Sequence, residues 1–486
     1  MKKFILALVG VVGLLSAIIA VRTATFTSRQ IHAAPIVPIN VERDTIVSRL
    51  GEAIRFKTVS YQTAAEFNAQ EFRNFHAFLE KSFPLVHRYL GKEAVNEHSL
   101  LYTWKGKTEG LKPILLLAHL DVVPVDSETE KSWTQAPFAG TIADGYVWGR
   151  GAMDDKASVL GMLEAVEHLL REGFAPERTV YLAFGHDEEL GGNHGAAKIA
   201  ELLRARKIEM EFALDEGMNI LSGIIAGIAA PVALIGVAEK GYLSLELTVA
   251  SAGGHSSIPP ADTAIGTLSR ALQRLDAAPF PAELRGPTRA MFEFLGAEMA
   301  WSKKSTLANL WLFEPLVKKQ LTASPLTNAV LRTTLAPTIF NAGVKENILP
   351  AQARAVVNLR VMPGETTAGA MEHVREVIDE PRIKLTALPI PTEPSGVSDI
   401  ESPTFKLLQR TIRETAPTAI VAPALLVGAT DSRHYAALTR NIFRFLPITL
   451  NIEDTKRYHG IDERISIQDY ERCVNFYARL IRNSKS

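Results

Sequence analysis

The sequence predicts an α/β fold: a mostly parallel sheet flanked by helices, with a smaller α+β (ferredoxin-like) unit inserted into it. Three observations predict this. Short apolar runs such as Ile114-Leu115-Leu116-Leu117-Ala118 and Val180-Tyr181-Leu182-Ala183-Phe184 do not alternate and are separated by helical patterns, as strands buried on both faces by crossover helices do. These runs end in clustered imidazole and carboxylate groups, where open α/β sheets place their ligands. Between 241 and 392 the pattern changes to the order strand–helix–strand–strand–helix–strand, a small antiparallel unit.

The 486 residues, 47% of them hydrophobic, suffice for a large core and two or three domains. Fifty-three basic and 53 acidic residues cancel, so charge gives no reason to expect nucleic acid as a partner. The single cysteine, Cys473, excludes an intrachain disulfide and a cysteine-built zinc cluster. It lies in an apolar-periodic helix and reads as a buried, inert thiol.

Lys2-Lys3 precede a charge-free apolar run from Phe4 to Val21, closed by Arg22. Residues 1–22 therefore read as a signal-anchor or a cleaved signal peptide. With no small-x-small site directly after the run, the anchor is preferred, with Lys2-Lys3 inside. Either way the body is expected to be exported, held at the outer face of a membrane or secreted. Residues 23–40 read as a linker.

Helices are expected over 44–56, 65–83, 157–172 and 195–206, and strands over 100–104 and up to His119. In 157–172, Leu160, Leu163, Val166, Leu169 and Leu170 share a face, and Gly173 and Pro176 close the helix. The inserted unit reads as strand 242–250, helix 263–275, strands 330–338 and 353–361, helix 367–378 and strand 383–388. Residues 279–325 interrupt it. Their many large apolar residues (Met291, Phe294, Trp301 and Trp311 among them) read as an extra helical pair packed on that unit, or as a wall for an apolar acyl chain.

The chemistry-bearing residues have spacings with physical reasons. His119 and Asp121 are two apart, so a strand-like backbone turns both to one side and the carboxylate can orient the imidazole for a metal. Glu188 and Glu189 are adjacent and diverge; one can bind a metal while the other takes a proton from water. Asp154 follows the glycine-flanked turn Gly149-Arg150-Gly151, and its two oxygens can bridge two ions. Asp215-Glu216 ends a third run. Each group alone has a bland reading: a strand-end pair, a solvated turn, a helix N-terminus. Four such groups at successive sheet ends point to a metal site. Gly149-x-Gly151 lacks the third glycine of a nucleotide-binding turn.

The passages Ala118-His119-Leu120-Asp121-Val122-Val123-Pro124-Val125 and Gly145-Tyr146-Val147-Trp148-Gly149-Arg150-Gly151-Ala152-Met153-Asp154-Asp155-Lys156, with Trp133, Pro137-Phe138 and Gly140 between them, resemble a known family. It is the zinc aminoacylase/carboxypeptidase S superfamily of di-zinc metallopeptidases. The likeness is greatest to carboxypeptidase S and the secreted N-acyl-amino-acid hydrolases, and it runs over about 45–480.

The resemblance implies a catalytic domain in two parts, 41–240 and 393–486, with 241–392 as a lid and dimerisation domain between them. It implies two zinc ions per chain. Asp154 would bridge them, His119 and one of Asp215 or Glu216 would complete one site, and Glu189 and His459 the other. Between Asp215 and Glu216 the register stays open, with Asp215 preferred. Two Zn²⁺ would be balanced by three carboxylates and a hydroxide, so no net charge is buried. Asp121 and Glu188 take catalytic roles by resemblance, Glu188 as general base and then acid, and His255 stabilises the oxyanion, in relatives often from a partner subunit. Asn347 and Arg360 hold substrate, the guanidinium suiting a carboxylate. The implied reaction is hydrolysis of the amide of an N-acyl amino acid, or its reverse. The alternatives are a carboxypeptidase or dipeptidase on short peptides, and a metal-free binding protein tethered to the membrane.

Overall fold

The computed structural model describes residues 1–485, so the last residue of the 393–486 stretch lies outside the described residues. The main sheet has ten strands. At its centre Ile114–His119 lies between Val180–Gly185 and Phe212–Asp215 and is parallel to both. The chain therefore goes from the middle strand to one neighbour and then crosses to the other. That reversal opens a crevice beyond the carboxyl ends of these strands. Ile442–Arg444 extends the parallel set beside Phe212–Asp215, and Ile420–Leu426 pairs parallel with Val232–Glu239. The edge formed by Gly91–Val95 and Ser99–Trp104 is antiparallel.

Alternate residues of the middle strand serve two cores. Ile114, Leu116 and Ala118 pack with Leu160, Leu163 and Val166 of the helix Lys156–Arg171. Leu115 and Leu117 pack with Ile199 and Leu203 of the helix Ala196–Ala205 on the other face. Both faces are covered, which is why the run carries no polar alternation. The C-terminal helix Ile467–Asn483 completes the first layer. A Cβ at Gly161 would lie 3.5 Å from the Cys473 and Tyr477 side chains, so the two helices meet at close range. Cys473 is buried, as expected.

The second unit is a four-stranded antiparallel sheet in the order Thr334–Ala342, Gln352–Val361, Gly241–Ala250, Lys384–Ala387. The helices Ala264–Ala277 and Thr367–Ile378 cover one face. Leu243, Leu245, Leu247 and Val249 point inward, as the alternation predicts.

Residues 279–325 differ from expectation. They form three helices, Gly286–Gly296, Trp301–Ala308 and Leu310–Thr322, followed by the short Pro325–Ala329. The first packs on the main body, not on the small sheet: Phe294 stands edge-on to Phe405 at 5.8 Å. The strand expected to start at 330 starts at Thr334, because the helix Pro325–Ala329 takes up the chain before it.

Candidate metal centre

Each strand end delivers its side chains to one place. His119, the last residue of its strand, is 1% exposed. Its Nδ1 is engaged by the Asp121 carbonyl at 2.9 Å, with the Asp121 carboxylate 3.4 Å away. That leaves Nε2 facing Asp154 Oδ1 at 2.9 Å, the arrangement in which a second group fixes a ligand ring. Asp121 also accepts from Ser60 Oγ at 2.6 Å and from the backbone N–H groups of Glu188 and Glu189 at 3.2 Å. It thereby holds the turn carrying both glutamates.

Asp154 is the shared member. Its second oxygen, Oδ2, faces His459 Nε2 at 3.0 Å, and the same Nε2 lies 3.3 Å from Glu189 Oε2. The residues form three groups able to hold a metal ion: His119, Asp154 and Glu216; Asp154, Glu189 and His459; and His119, Glu188 and Glu189. Within each, the ligand atoms lie within 4.8 Å of one another.

At the open register, the structure gathers Glu216 and turns Asp215 away. Asp215 accepts from Ser432 N at 2.7 Å and Glu216 N at 3.0 Å. Of the two, Glu216 is the one that joins His119 and Asp154. The strand ends on Asp215, and the next side chain is the one that enters the crevice.

The electrostatics call for cations. Burial raises the pKa of Glu188, as do Asp431, Glu189 and Asp154. Burial and Asp154 raise Glu216 in the same way, and burial raises Glu189. Asp154 is held low despite its burial by hydrogen bonds to His119 and His459. His459 is pushed up to about 10 by its bonds to Asp154 and Glu189. Glu189 Oε1 is buried with no hydrogen-bond partner among the described residues. Crowded, desolvated carboxylates beside two histidines are a nitrogen–oxygen donor set that fits divalent metal.

The sequence reading missed the frame beneath this cluster. Glu463 Oε1 accepts from the backbone of Met153 at 2.9 Å and of Asp154 at 3.2 Å. Its other oxygen accepts from Arg150 Nη1 at 2.6 Å, and Arg150 Nη2 donates to the carbonyls of His459 and Gly460. One buried ion pair therefore fixes both Asp154 and His459. Gly149, at φ +144, makes the turn possible; a Cβ there would lie 2.5 Å from Ile54 Cγ2 and 2.8 Å from the Pro137 carbonyl.

The remaining expected residues stand apart. His255 is exposed, and its ring Nδ1 bonds Ser257. Asn347 is exposed beside it and bonds Ser256 and Lys345. Arg360 stacks on Tyr242 at 4.9 Å, its pKa lowered by burial and by nearby Arg433. Among the described residues no hydrogen bond or ion pair joins these three to the cluster.

Comparison with known proteins places this arrangement. Residues 115–483 match peptidase family M20/M25/M40. A probable carboxypeptidase S-like protein 2 of Dictyostelium discoideum is 44% identical over 477 residues, 96% of this chain and 91% of that one. The N-fatty-acyl-amino acid synthase/hydrolase PM20D1 of Xenopus tropicalis is 42% identical over 450 residues, 91% of this chain and 86% of that one. Among solved structures, an M20 family metallo-carboxypeptidase of Sulfolobus solfataricus has the same fold, with a TM-score of 0.66 at 18% identity over 90% of this chain and 98% of that one.

Proposed function

The chain belongs to peptidase family M20/M25/M40 and is a metal-dependent hydrolase, and from that premise we propose that it cleaves the amide of N-acyl amino acids with two zinc ions. One observation carries the reading: the two oxygens of Asp154 face His119 at 2.9 Å and His459 at 3.0 Å. Asp154 would then be shared by both ions, with His119 and Glu216 to hold one and Glu189 and His459 to hold the other. The ions would lower the pKa of a bound water toward about 7 and polarise the scissile carbonyl.

The side chains supply the rest. Glu188 takes a proton from the attacking water and returns it to the leaving amine. Asp121 keeps Glu188 and Glu189 in place through their backbone and orients His119. Arg360 binds the free carboxylate, a pairing favoured by its planar fork. His255 serves the oxyanion and Asn347 the substrate. Both lie exposed and together, which suits their delivery to a second copy in a homodimer through the small sheet's unit, residues 241–392. That unit acts as the lid on a catalytic domain made of 41–240 and 393–486. The helix Lys2–Thr25, charge-free from Phe4 to Val21, anchors the exported body to a membrane.

The N-acyl reading leans on the 42% identity to an N-fatty-acyl-amino acid synthase/hydrolase, whose name also covers the reverse reaction. A second reading, a carboxypeptidase on short peptides, is favoured by the carboxypeptidase S-like relative. A panel of N-acyl amino acids of graded chain length against dipeptides separates them. Higher kcat/KM on N-acyl amino acids supports the first, the reverse order supports the second, and no turnover of either class refutes both.

A further inference from the structure

We propose that the helix Leu310–Thr322 lies in the surface of a lipid bilayer, beside the point where the N-terminal helix enters it. The helix carries apolar residues on both its inward and its outward side, beside the charged Glu314, Lys318 and Lys319. Leu310, Phe313, Val317 and Leu321 pack inward with Leu284 and Leu331. Trp311, Leu312, Pro315 and Leu316 form a continuous outward face. Three of these are large hydrophobics left bare, at 51%, 41% and 61% exposure for Trp311, Leu312 and Leu316. Contiguous exposed apolar surface marks an interaction site.

The N-terminal helix says what covers that face. It docks on the helix Trp301–Ala308 only through its last turns. Thr23 Oγ1 bonds Ser305 Oγ at 3.2 Å, and the Ile19 carbonyl accepts from Asn309 Nδ2 at 3.3 Å. The residue number falls on one helix as it rises on the other, so the two run antiparallel. The free apolar stretch from Phe4 to Ile18, about 22 Å long at 1.5 Å per residue, continues past Asn309. Asn309 is fully buried and its Oδ1 accepts from Trp311 Nε1 at 3.3 Å. Trp311 thus sits one side chain away from where the membrane helix leaves the protein. Tryptophan favours that depth, and Lys319 on the same exposed face suits headgroup phosphates, the pattern of a helix lying in the interface plane.

This inference rests on the Lys2–Thr25 helix entering a membrane, which flotation with vesicles checks separately from any activity. Tryptophan fluorescence tests the inference itself. Of the five tryptophans, Trp104, Trp133 and Trp148 are buried at 5%, 8% and 4% exposure, and Trp301→Phe removes the other exposed one. The full chain with Trp301→Phe is reconstituted in phosphatidylcholine vesicles, plain or brominated at the upper acyl carbons. Brominated lipid should quench its emission, and adding Trp311→Phe should abolish most of that lipid-dependent quenching. Equal quenching with and without Trp311, or iodide reaching Trp311 in vesicles as well as in detergent, overturns the proposal. Iodide protection that grows with protein concentration and without vesicles assigns the face to a second copy and overturns it too. A chain that does not float with vesicles overturns both this and the anchor.

Discussion

Arg150 Nη1 donates to Glu463 Oε2 at 2.6 Å across 313 residues of chain, with neither side chain more than 3% exposed. The pair holds the backbone of Asp154 and the carbonyl of His459. Glu463→Gln should therefore weaken metal binding about 10- to 100-fold, as loss of a supporting group does, and destabilise the fold by about 3–5 kcal/mol through the unpaired guanidinium. Pairing Glu463→Leu with Arg150→Met should recover much of the stability but not the metal affinity. Metal titration beside thermal unfolding checks this; a double variant with native affinity would remove the pair's positioning role.

Glu188 is separable from the ligands. Glu188→Gln should retain bound metal while kcat falls about 10²- to 10⁴-fold, the range of a lost general base. Metal analysis and single-substrate kinetics on the same preparation decide it. Turnover near the native value would reassign the base.

Asp215 and Glu216 are adjacent but spent differently. Glu216→Ala should lower metal content with little effect on the melting of the metal-free chain. Asp215→Asn should keep metal and cost about 1–3 kcal/mol, because Asp215 accepts two buried backbone N–H groups. Metal loss confined to Asp215→Asn would reverse the assignment.

His76 gives a pH-dependent term away from the cluster. Burial, with Lys92 nearby, lowers its pKa from 6.5 to about 4, and its Nε2 is tied to the His98 carbonyl. Between those values the unfolded chain binds a proton that the folded chain refuses. Stability is thus lost as pH falls from 6.5 to 4, by at most about 3 kcal/mol. In urea melts, His76→Gln should flatten the stability curve over that range. An unchanged slope would show that His76 does not contribute.

The centre of the fold was legible because each middle strand is a continuous apolar run with chemistry at its end. Leu115 and Leu117 need one helix layer, Ile114 and Leu116 another, and the sequence registers both demands at once. The Arg150–Glu463 frame was not legible. Its partners lie far apart in the chain, and charge alone does not say which acid meets which base. The register at Asp215-Glu216 was also open, since it turns on the residue at which the strand stops. Phe294 was assigned to the wrong neighbour for a related reason: helical periodicity gives an apolar face but not the surface it meets.

In the proposed function Asp154 is shared by two metal ions that turnover requires. Metal content of the purified full chain, followed through chelation and zinc readdition, tests it most directly. Close to two zinc ions per native chain are expected, with loss of amide hydrolysis on chelation, recovery with zinc, and failure of Asp154→Ala to hold either ion. Full activity in a chain with fewer than one ion, or two tightly held ions in Asp154→Ala, would contradict it.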